Sequence, residues 1–225
     1  MSALGRTCRL FAHEWRVEWR RGDTLPTMTL FTLSSLIVFE FAFDLSRPEM
    51  QPRVPAALWT VWAFASLVPF ADAFRRERHD GTYEALRFTA LSPSAIGIVK
   101  TLGAWVKLSI LQAVSIPIAI VWFNMPGDAA WLRAAPAFAL HALGLCILGT
   151  LGGAVAARLD RGEALAAVLT FPLAAPVLLS AVRTTGRLLD GESWPWTPLG
   201  AILLVDLLFL SLGALLWETV LDDAA

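Results

Sequence analysis

The charged side chains that could do chemistry are concentrated in residues 74–93, between two long apolar stretches. Four arginines, several acidic residues and the single tyrosine of the chain alternate there with apolar residues. This pattern supplies charge and hydrogen bonds for binding a partner, without the spacing of a catalytic motif. The residues that we expect to contact a partner are Arg75, Arg76, Glu77, Arg78, Asp80, Gly81, Tyr83, Glu84, Leu86 and Arg87.

This segment also contains the signals of a short helix. Asp80-Gly81 is typical of a turn, and Asp80 can cap a helix that follows. Tyr83, Leu86 and neighbouring apolar residues then fit one edge of a helix that closes before Pro93. An apolar edge needs a surface to cover it, either the membrane or a groove in a partner protein. The alternative is an ordinary solvated, positively charged loop.

A second, shorter polar connection lies at residues 158–163. Arg158, Asp160 and Arg161 supply its charge, and Gly162 suits a tight turn. The pattern favours a simple positively charged hairpin, and a second contact with the same partner is the sharper alternative.

Catalytic and metal-binding motifs are missing from the sequence. There is no G-x-x-x-x-G-K-[ST] phosphate loop, and residues 97–101 lack its spacing. His13, His79 and His141 lie in separate segments and do not form a metal-ligand pattern. The sequence therefore gives no reason to expect a catalytic site, a metal site or an intrinsic cofactor.

Four further residues raise separate questions. His141 lies in an apolar block, where an ionisable group is a functional-site hypothesis, although a neutral histidine bonded to a neighbouring helix is the simpler interpretation. Asp206 either pairs within the helix bundle or lies near the outer interface. Cys8 and Cys146 lie in segments of very different polarity, so no disulfide is expected.

The overall composition is that of a membrane protein. Of the 225 residues, 56% are hydrophobic and 16% are charged, and the mean hydropathy is +0.61. Soluble domains carry about 25% charged residues. This composition excludes an intrinsically disordered chain and argues against a soluble globule. The net charge of −1 gives no reason to expect nucleic-acid binding.

Six apolar blocks have the length of membrane-spanning helices, about 20 residues each. We place them at residues 25–43, 54–73, 101–123, 134–157, 164–182 and 199–221. The predicted fold is therefore all-α, a single polytopic membrane domain. Because the segments on the amino-terminal side hold 12 Lys and Arg residues against 5 on the other side, both chain ends are predicted to be cytoplasmic.

An amphipathic helix at residues 4–21 is predicted to precede the first crossing. Leu4, Cys8, Phe11, Trp15 and Trp19 recur at helical spacing, with arginines around the rest of the axis. Such a helix can lie in the lipid headgroup plane. No cleavage site follows the first apolar block, so we interpret that block as a retained crossing.

The later crossings contain helix-bending and small residues. Pro117, Pro172 and Pro176 interrupt apolar blocks and can bend them. Small residues on the fourth block predict close helix packing: Gly144, Gly149, Gly152 and Gly153.

The order of these parts resembles the cytochrome c maturation permease family, also called the haem exporter protein B (CcmB) family. The likeness covers about residues 8 to 182 and rests on order and spacing more than on one motif. The first part is the charged run Glu14-Trp15-Arg16-Val17-Glu18-Trp19-Arg20-Arg21. The second part starts at Ala57-Leu58-Trp59, includes Phe74-Arg75, Asp80-Gly81-Thr82, Glu84 and Leu86, and ends at Leu91-Ser92-Pro93, with Lys100 after it. The third part is Leu148-Gly149-Thr150-Leu151-Gly152, followed by Arg161-Gly162, Pro172 and Pro176. Glu40, Asp44 and residues 183–198 depart from the family pattern.

The resemblance implies a membrane subunit of an ABC-2-type transporter. Its partners would be a separate ATPase subunit (CcmA), a second copy of itself, CcmC, CcmD and the haem chaperone CcmE, in contact with lipid. ATP would act through the ATPase alone, and haem would be the cargo or travel on the released chaperone. The segment 74–93 would then be the contact with the ATPase.

Three other functions compete with this one. An ABC-2 permease for a drug, lipid or polysaccharide would share the same architecture. An intramembrane enzyme would need converging polar groups, for which His141 and Asp206 are the candidates. A passive scaffold would keep its role when the ATPase is inactive.

Overall fold

The computed structural model describes residues 3–70, 92–156, 162–194 and 196–222, and these are helical almost throughout. Within these ranges there is no β-strand. The α-helices are α1 (Ala3–Arg21), α2 (Thr24–Phe43), α3 (Val54–Ala65), α4 (Pro93–Trp122), α5 (Ala129–Ala156), α6 (Gly162–Leu189) and α7 (Trp196–Asp222). A 3-10 turn at Gln51–Arg53 leads into α3, and residues 67–70 are again helical. The predicted all-α class is confirmed.

Four helical segments of the described ranges are long and apolar enough to span a bilayer. They are Thr24–Phe43, Gln51–Phe70, Ser94–Trp122 and Ala129–Val155. The remaining two predicted crossings fall on α6 and α7, which are 28 and 27 residues long. The chain is therefore a membrane protein, and the full count of six crossings stays a prediction.

Several helices extend beyond the predicted apolar blocks, and α4 and α6 differ most from them. Helix α4 begins at Pro93, eight residues before the predicted start, and the Ser92 hydroxyl accepts a hydrogen bond from the Ala95 N–H at 3.3 Å. Proline suits this first position because the first turn leaves its N–H groups unbonded in any case. Helix α6 continues to Leu189, so the polar residues after Val182 belong to a helix and not to the predicted loop. Hydropathy marks the apolar section of a helix, not its end.

Helix α5 is the centre of the bundle and packs against α4, α6 and α7. The predicted small-residue face of α5 is confirmed at three glycines. Any Cβ at Gly144 would meet the Asp206 carboxyl group, one at Gly149 would meet the Phe70 ring, and one at Gly153 the Phe70 carbonyl. These glycines let α7 and the end of the second crossing approach the α5 backbone closely.

An aromatic cluster fills the half of the bundle farther from α1. We define it as Trp59, Trp62, Trp131 and Phe138. Ring centroids are 5.3 Å apart for Trp59 and Trp62, and 5.6 Å apart for Trp62 and Phe138. The Trp62 indole donates to Ser115 Oγ at 2.9 Å and the Trp59 indole to Thr185 Oγ1 at 3.0 Å. The cluster therefore ties α3 and α5 to α4 and α6.

Candidate coupling site

The predicted contact residues fall outside the described parts of the chain. This holds for all ten residues of the segment 74–93 named above, Arg75 to Arg87, and for Arg158, Asp160 and Arg161 of the second connection. Their role stays a prediction. What the structure does describe is how the chain is held just before and just after the segment.

Before the segment, the chain is held by Phe70. Its side chain is buried, and its ring lies over the bare Cα of Gly149 on α5. Its carbonyl group lies against Gly153, one turn further along the same helix. Because Gly149 and Gly153 are four residues apart, they form one notch on the α5 surface. The end of the second crossing is thus fixed to the central helix.

After the segment, the chain is held by the first turns of α4. Ser92 caps the helix, and two turns later the Thr101 hydroxyl lies 2.8 Å from the Thr150 hydroxyl of α5. Both threonines are buried. This contact is polar and joins α4 to the same section of α5 that receives Phe70.

Two ion pairs attach α1 to α4. Lys100 Nζ lies 2.7 Å from Glu14 Oε1, and Lys107 Nζ lies 3.3 Å from Glu18 Oε1. The four side chains are between 11% and 27% exposed, so salt screens them less than it screens a surface pair. We call these four residues the α1–α4 clasp.

The clasp was not foreseen from the sequence, although a signal for it exists. Lys100 and Lys107 are the only lysines in a chain with 16 arginines. Their spacing of seven and the spacing of four between Glu14 and Glu18 each place two charges on one helix face. The sequence does not say that these two faces meet.

The side of α1 that faces α2 borders a cavity. It has a volume of about 320 Å³ and lies between the last turns of α1 and the first turn of α2. Its walls include Trp15, Glu18, Trp19 and Gly22. Gly22 has a φ of +65°, a conformation that glycine adopts at little cost, and it makes the turn between the two helices.

His141 is a bonded core residue. It is fully buried, its Nδ1 lies 2.8 Å from the Ala137 carbonyl oxygen, and its Nε2 lies 3.2 Å from Ser180 Oγ. Because a carbonyl group only accepts, Nδ1 carries a hydrogen, and in a neutral ring Nε2 then accepts from the serine hydroxyl. The simpler interpretation of His141, a neutral ring bonded to a neighbouring helix, therefore agrees with this geometry.

Asp206, unlike His141, has no hydrogen-bond partner for its side chain among the described residues. Its side chain is buried against Gly144. The bonds of His141 go to Ala137 and Ser180, so His141 and Asp206 do not make the catalytic constellation that an intramembrane enzyme would need. Within the described residues, no three His, Cys, Asp or Glu side chains come together as metal ligands.

Glu40 and Asp44, which depart from the family pattern, close the turn after α2. Glu40 Oε2 accepts a hydrogen bond from the Ser46 N–H at 3.1 Å. Asp44 has a φ of +48° at the helix end and pairs with Arg47 at 3.2 Å. Both side chains thus have local structural partners.

The comparison with known families decides the assignment. A family model described as "CcmB protein" matches residues 6–215, from α1 into α7. This chain belongs to the CcmB family. The resemblance seen in the sequence is confirmed, and the CcmB match extends beyond the 8–182 range on which it was based.

Relatives from several bacteria support membership of the CcmB family. Heme exporter protein B of Bradyrhizobium diazoefficiens is 26% identical over 217 residues, which cover 95% of this chain and 94% of the relative. The protein of the same name from Paracoccus denitrificans is 26% identical over 91% of this chain and 93% of its own length. Heme exporter protein B of Escherichia coli strain K12 is 26% identical over 77% of this chain and 78% of its own length.

Proposed function

We propose that this chain is the membrane subunit of an ABC transporter that exports or delivers haem for c-type cytochrome biogenesis. The observation that carries the proposal is the CcmB family match over residues 6–215. The relatives named heme exporter protein B and the bundle of apolar helices are consistent with it. An ABC-2 permease for another cargo is the alternative that the experiment below separates.

ATP hydrolysis is assigned to a separate ATPase subunit, CcmA. The full sequence lacks a phosphate loop, so this chain needs a partner to bind ATP. The segment 74–93 is the proposed contact with that partner, and residues 158–161 are interpreted as a positively charged hairpin, with a second contact as the alternative. Phe70 and Thr101, which flank the first segment, are both attached to α5, so a force on the segment would reach the centre of the bundle.

The rest of the proposed complex follows from the family resemblance. It comprises a second copy of this chain, CcmC, CcmD and the haem chaperone CcmE, in the inner membrane with both chain ends cytoplasmic. Haem ligation by the buried His141 would use Nε2 and break its hydrogen bond to Ser180, whereas the bond from Nδ1 to Ala137 could remain. The proposed role of this chain is to drive haem transfer or release of the loaded chaperone.

A gene deletion with a haem stain tests the proposal. Covalent haem survives denaturing electrophoresis, so we expect the stained bands of c-type cytochromes to vanish in the deletion strain and to return with the wild-type chain. An Arg76→Glu, Arg78→Glu variant should fail to restore them and should no longer co-purify the ATPase, because its charges at the proposed contact are reversed.

The contrary results are equally clear. Haem bands that persist in the deletion strain would overturn the haem assignment and leave an ABC-2 permease for another cargo. If the charge-reversed variant binds the ATPase and restores the bands, the assignment of residues 74–93 is wrong.

A further inference from the structure

Helix α4 starts where the proposed ATPase contact ends. Ser92 caps the helix and Pro93 is its first residue, so α4 begins at the carboxyl-terminal end of the segment 74–93. The helix then runs for 30 residues, a length of about 45 Å. We therefore expect a displacement of the segment to move the first turns of α4, which contain Lys100 and Lys107 and precede Pro117, as one helical unit.

The clasp carries that movement from α4 to α1. Its two ion pairs involve lysines seven residues apart on α4, about 10 Å along the axis. A single ion pair would allow α1 to pivot about one point, whereas two separated pairs oppose pivoting. Their partial burial keeps the attraction stronger than that of an exposed pair.

The connection between α1 and α2 is of a different kind. Gly22 makes the turn in the left-handed conformation, and the cavity of about 320 Å³ separates the last turns of α1 from the first turn of α2. A turn at glycine beside unfilled space can change its angle without breaking tight packing. Helix α1 is thus connected to α2 through the backbone turn at Gly22 and to α4 through the two ion pairs of the clasp.

We propose that Glu14, Glu18, Lys100 and Lys107 are positioning residues of the transport cycle, which make α1 move with α4 and hinge relative to α2 at Gly22. The inference rests on the proposed function, since that function supplies the ATP-driven displacement. In this proposal α1 takes part in transmitting the ATP-driven movement of α4, in addition to its predicted position at the membrane surface.

Charge reversal within the clasp is the genetic test. Glu18→Lys or Lys107→Glu alone should lower covalent haem by about tenfold, the scale of a typical coupling between two sites. The double variant restores opposite charges at the same positions and should recover most of the signal. Co-purification of the ATPase should be unchanged in all three, because residues 74–93 are intact.

A matched control comes from the same chain. Arg187 and Glu192 form an exposed ion pair, with 55% and 51% exposed side chains, at the far end of the bundle. Arg187→Glu alone should leave the haem signal at the wild-type level. Single clasp variants with full activity, or a double variant no better than the singles, would overturn the inference while leaving the haem assignment in place.

A distance measurement tests the same inference without reference to the cargo. Spin labels are placed on exposed positions of the full chain in its complex with the ATPase, in a Cys8→Ser, Cys146→Ser background: Arg16 on α1, Leu30 on α2 and Leu102 on α4. Between ATP-free and vanadate-trapped states, the 16–102 distance should stay constant and the 16–30 distance should change. A changed 16–102 distance, or a constant 16–30 distance, would overturn the inference whatever the haem stain shows.

Discussion

The two halves of the bundle are held together by different chemistry. Near α1, two partly buried ion pairs and a pair of buried threonines join helices that are far apart in the sequence. In the opposite half, the aromatic cluster joins the helices, and each indole N–H is bonded within the bundle. The ion pairs there, Asp44–Arg47 and Arg187–Glu192, are exposed and link near neighbours in the chain.

This difference shows which contacts can rearrange. An interlocked aromatic cluster has few alternative packings, since buried side chains fill their space at close to crystal density. In the half near α1, the clasp holds α1 to α4, and the point that can move is the α1–α2 turn at Gly22, which borders a cavity. The half next to the proposed ATPase contact is therefore adaptable at this turn and not at the clasp.

The largest effect is expected from the aromatic cluster. Trp62→Ala leaves a cavity at a fully buried position and removes the donor that Ser115 accepts from, so we expect a loss of about 3 to 5 kcal/mol in the free energy of unfolding. Trp62→Phe keeps most of the packing and should lose less. The thermal unfolding midpoint of the detergent-solubilised chain measures both, and equal midpoints for Trp62→Ala and wild type would contradict the rigid-half description.

The next effect is expected at the glycine notch. Gly149→Ala places a methyl group into the Phe70 ring, and overpacking of this kind costs about 1 to 3 kcal/mol. Gly186→Ala is the matched control, because nothing lies near its Cβ position and alanine favours helix. The unfolding midpoint should fall for the first variant and hold or rise for the second. The reverse order would mean that Phe70 is not fixed to α5.

The smallest effect is expected from single ion pairs. Lys107→Met should lower the free energy of unfolding by about 1 kcal/mol, and Arg187→Met by less, because an exposed pair contributes little. Raising the salt concentration should reduce the difference in unfolding midpoint between Arg187→Met and wild type before it reduces the difference between Lys107→Met and wild type. The unfolding midpoints at low and high salt report this. If Arg187→Met lowers the free energy of unfolding more than Lys107→Met does, the distinction between the two halves of the bundle is wrong.

Much of the fold could be predicted because lipid imposes simple rules. An apolar block of about 20 residues must form a helix in lipid, so the crossings at α2, α4 and α5 are visible in the composition. The small-residue face of α5 was likewise visible as glycines. The start of α4 and the end of α6 were missed because the helices continue into polar sequence, where a cap or a turn ends them.

The contacts between helices could not be predicted in the same way. Lys107 stands out in an apolar block, but its partner Glu18 depends on how α1 packs, which no local pattern records. The partners of Gly149 and Gly144 were unknown for the same reason. The family could be recognised because order and spacing along the chain survive at 26% identity. The role of residues 74–93 stays a prediction.

The most direct test of the central claim is to inactivate the partner ATPase and leave this chain intact. The variant replaces the phosphate-loop lysine of the ATPase, so that the complex assembles without ATP hydrolysis. The haem stain is then compared with the wild-type strain at equal levels of this chain. The account predicts that the covalent haem bands vanish. Bands of normal strength would show that the chain serves without ATP, as a scaffold and not as the membrane subunit of a transporter.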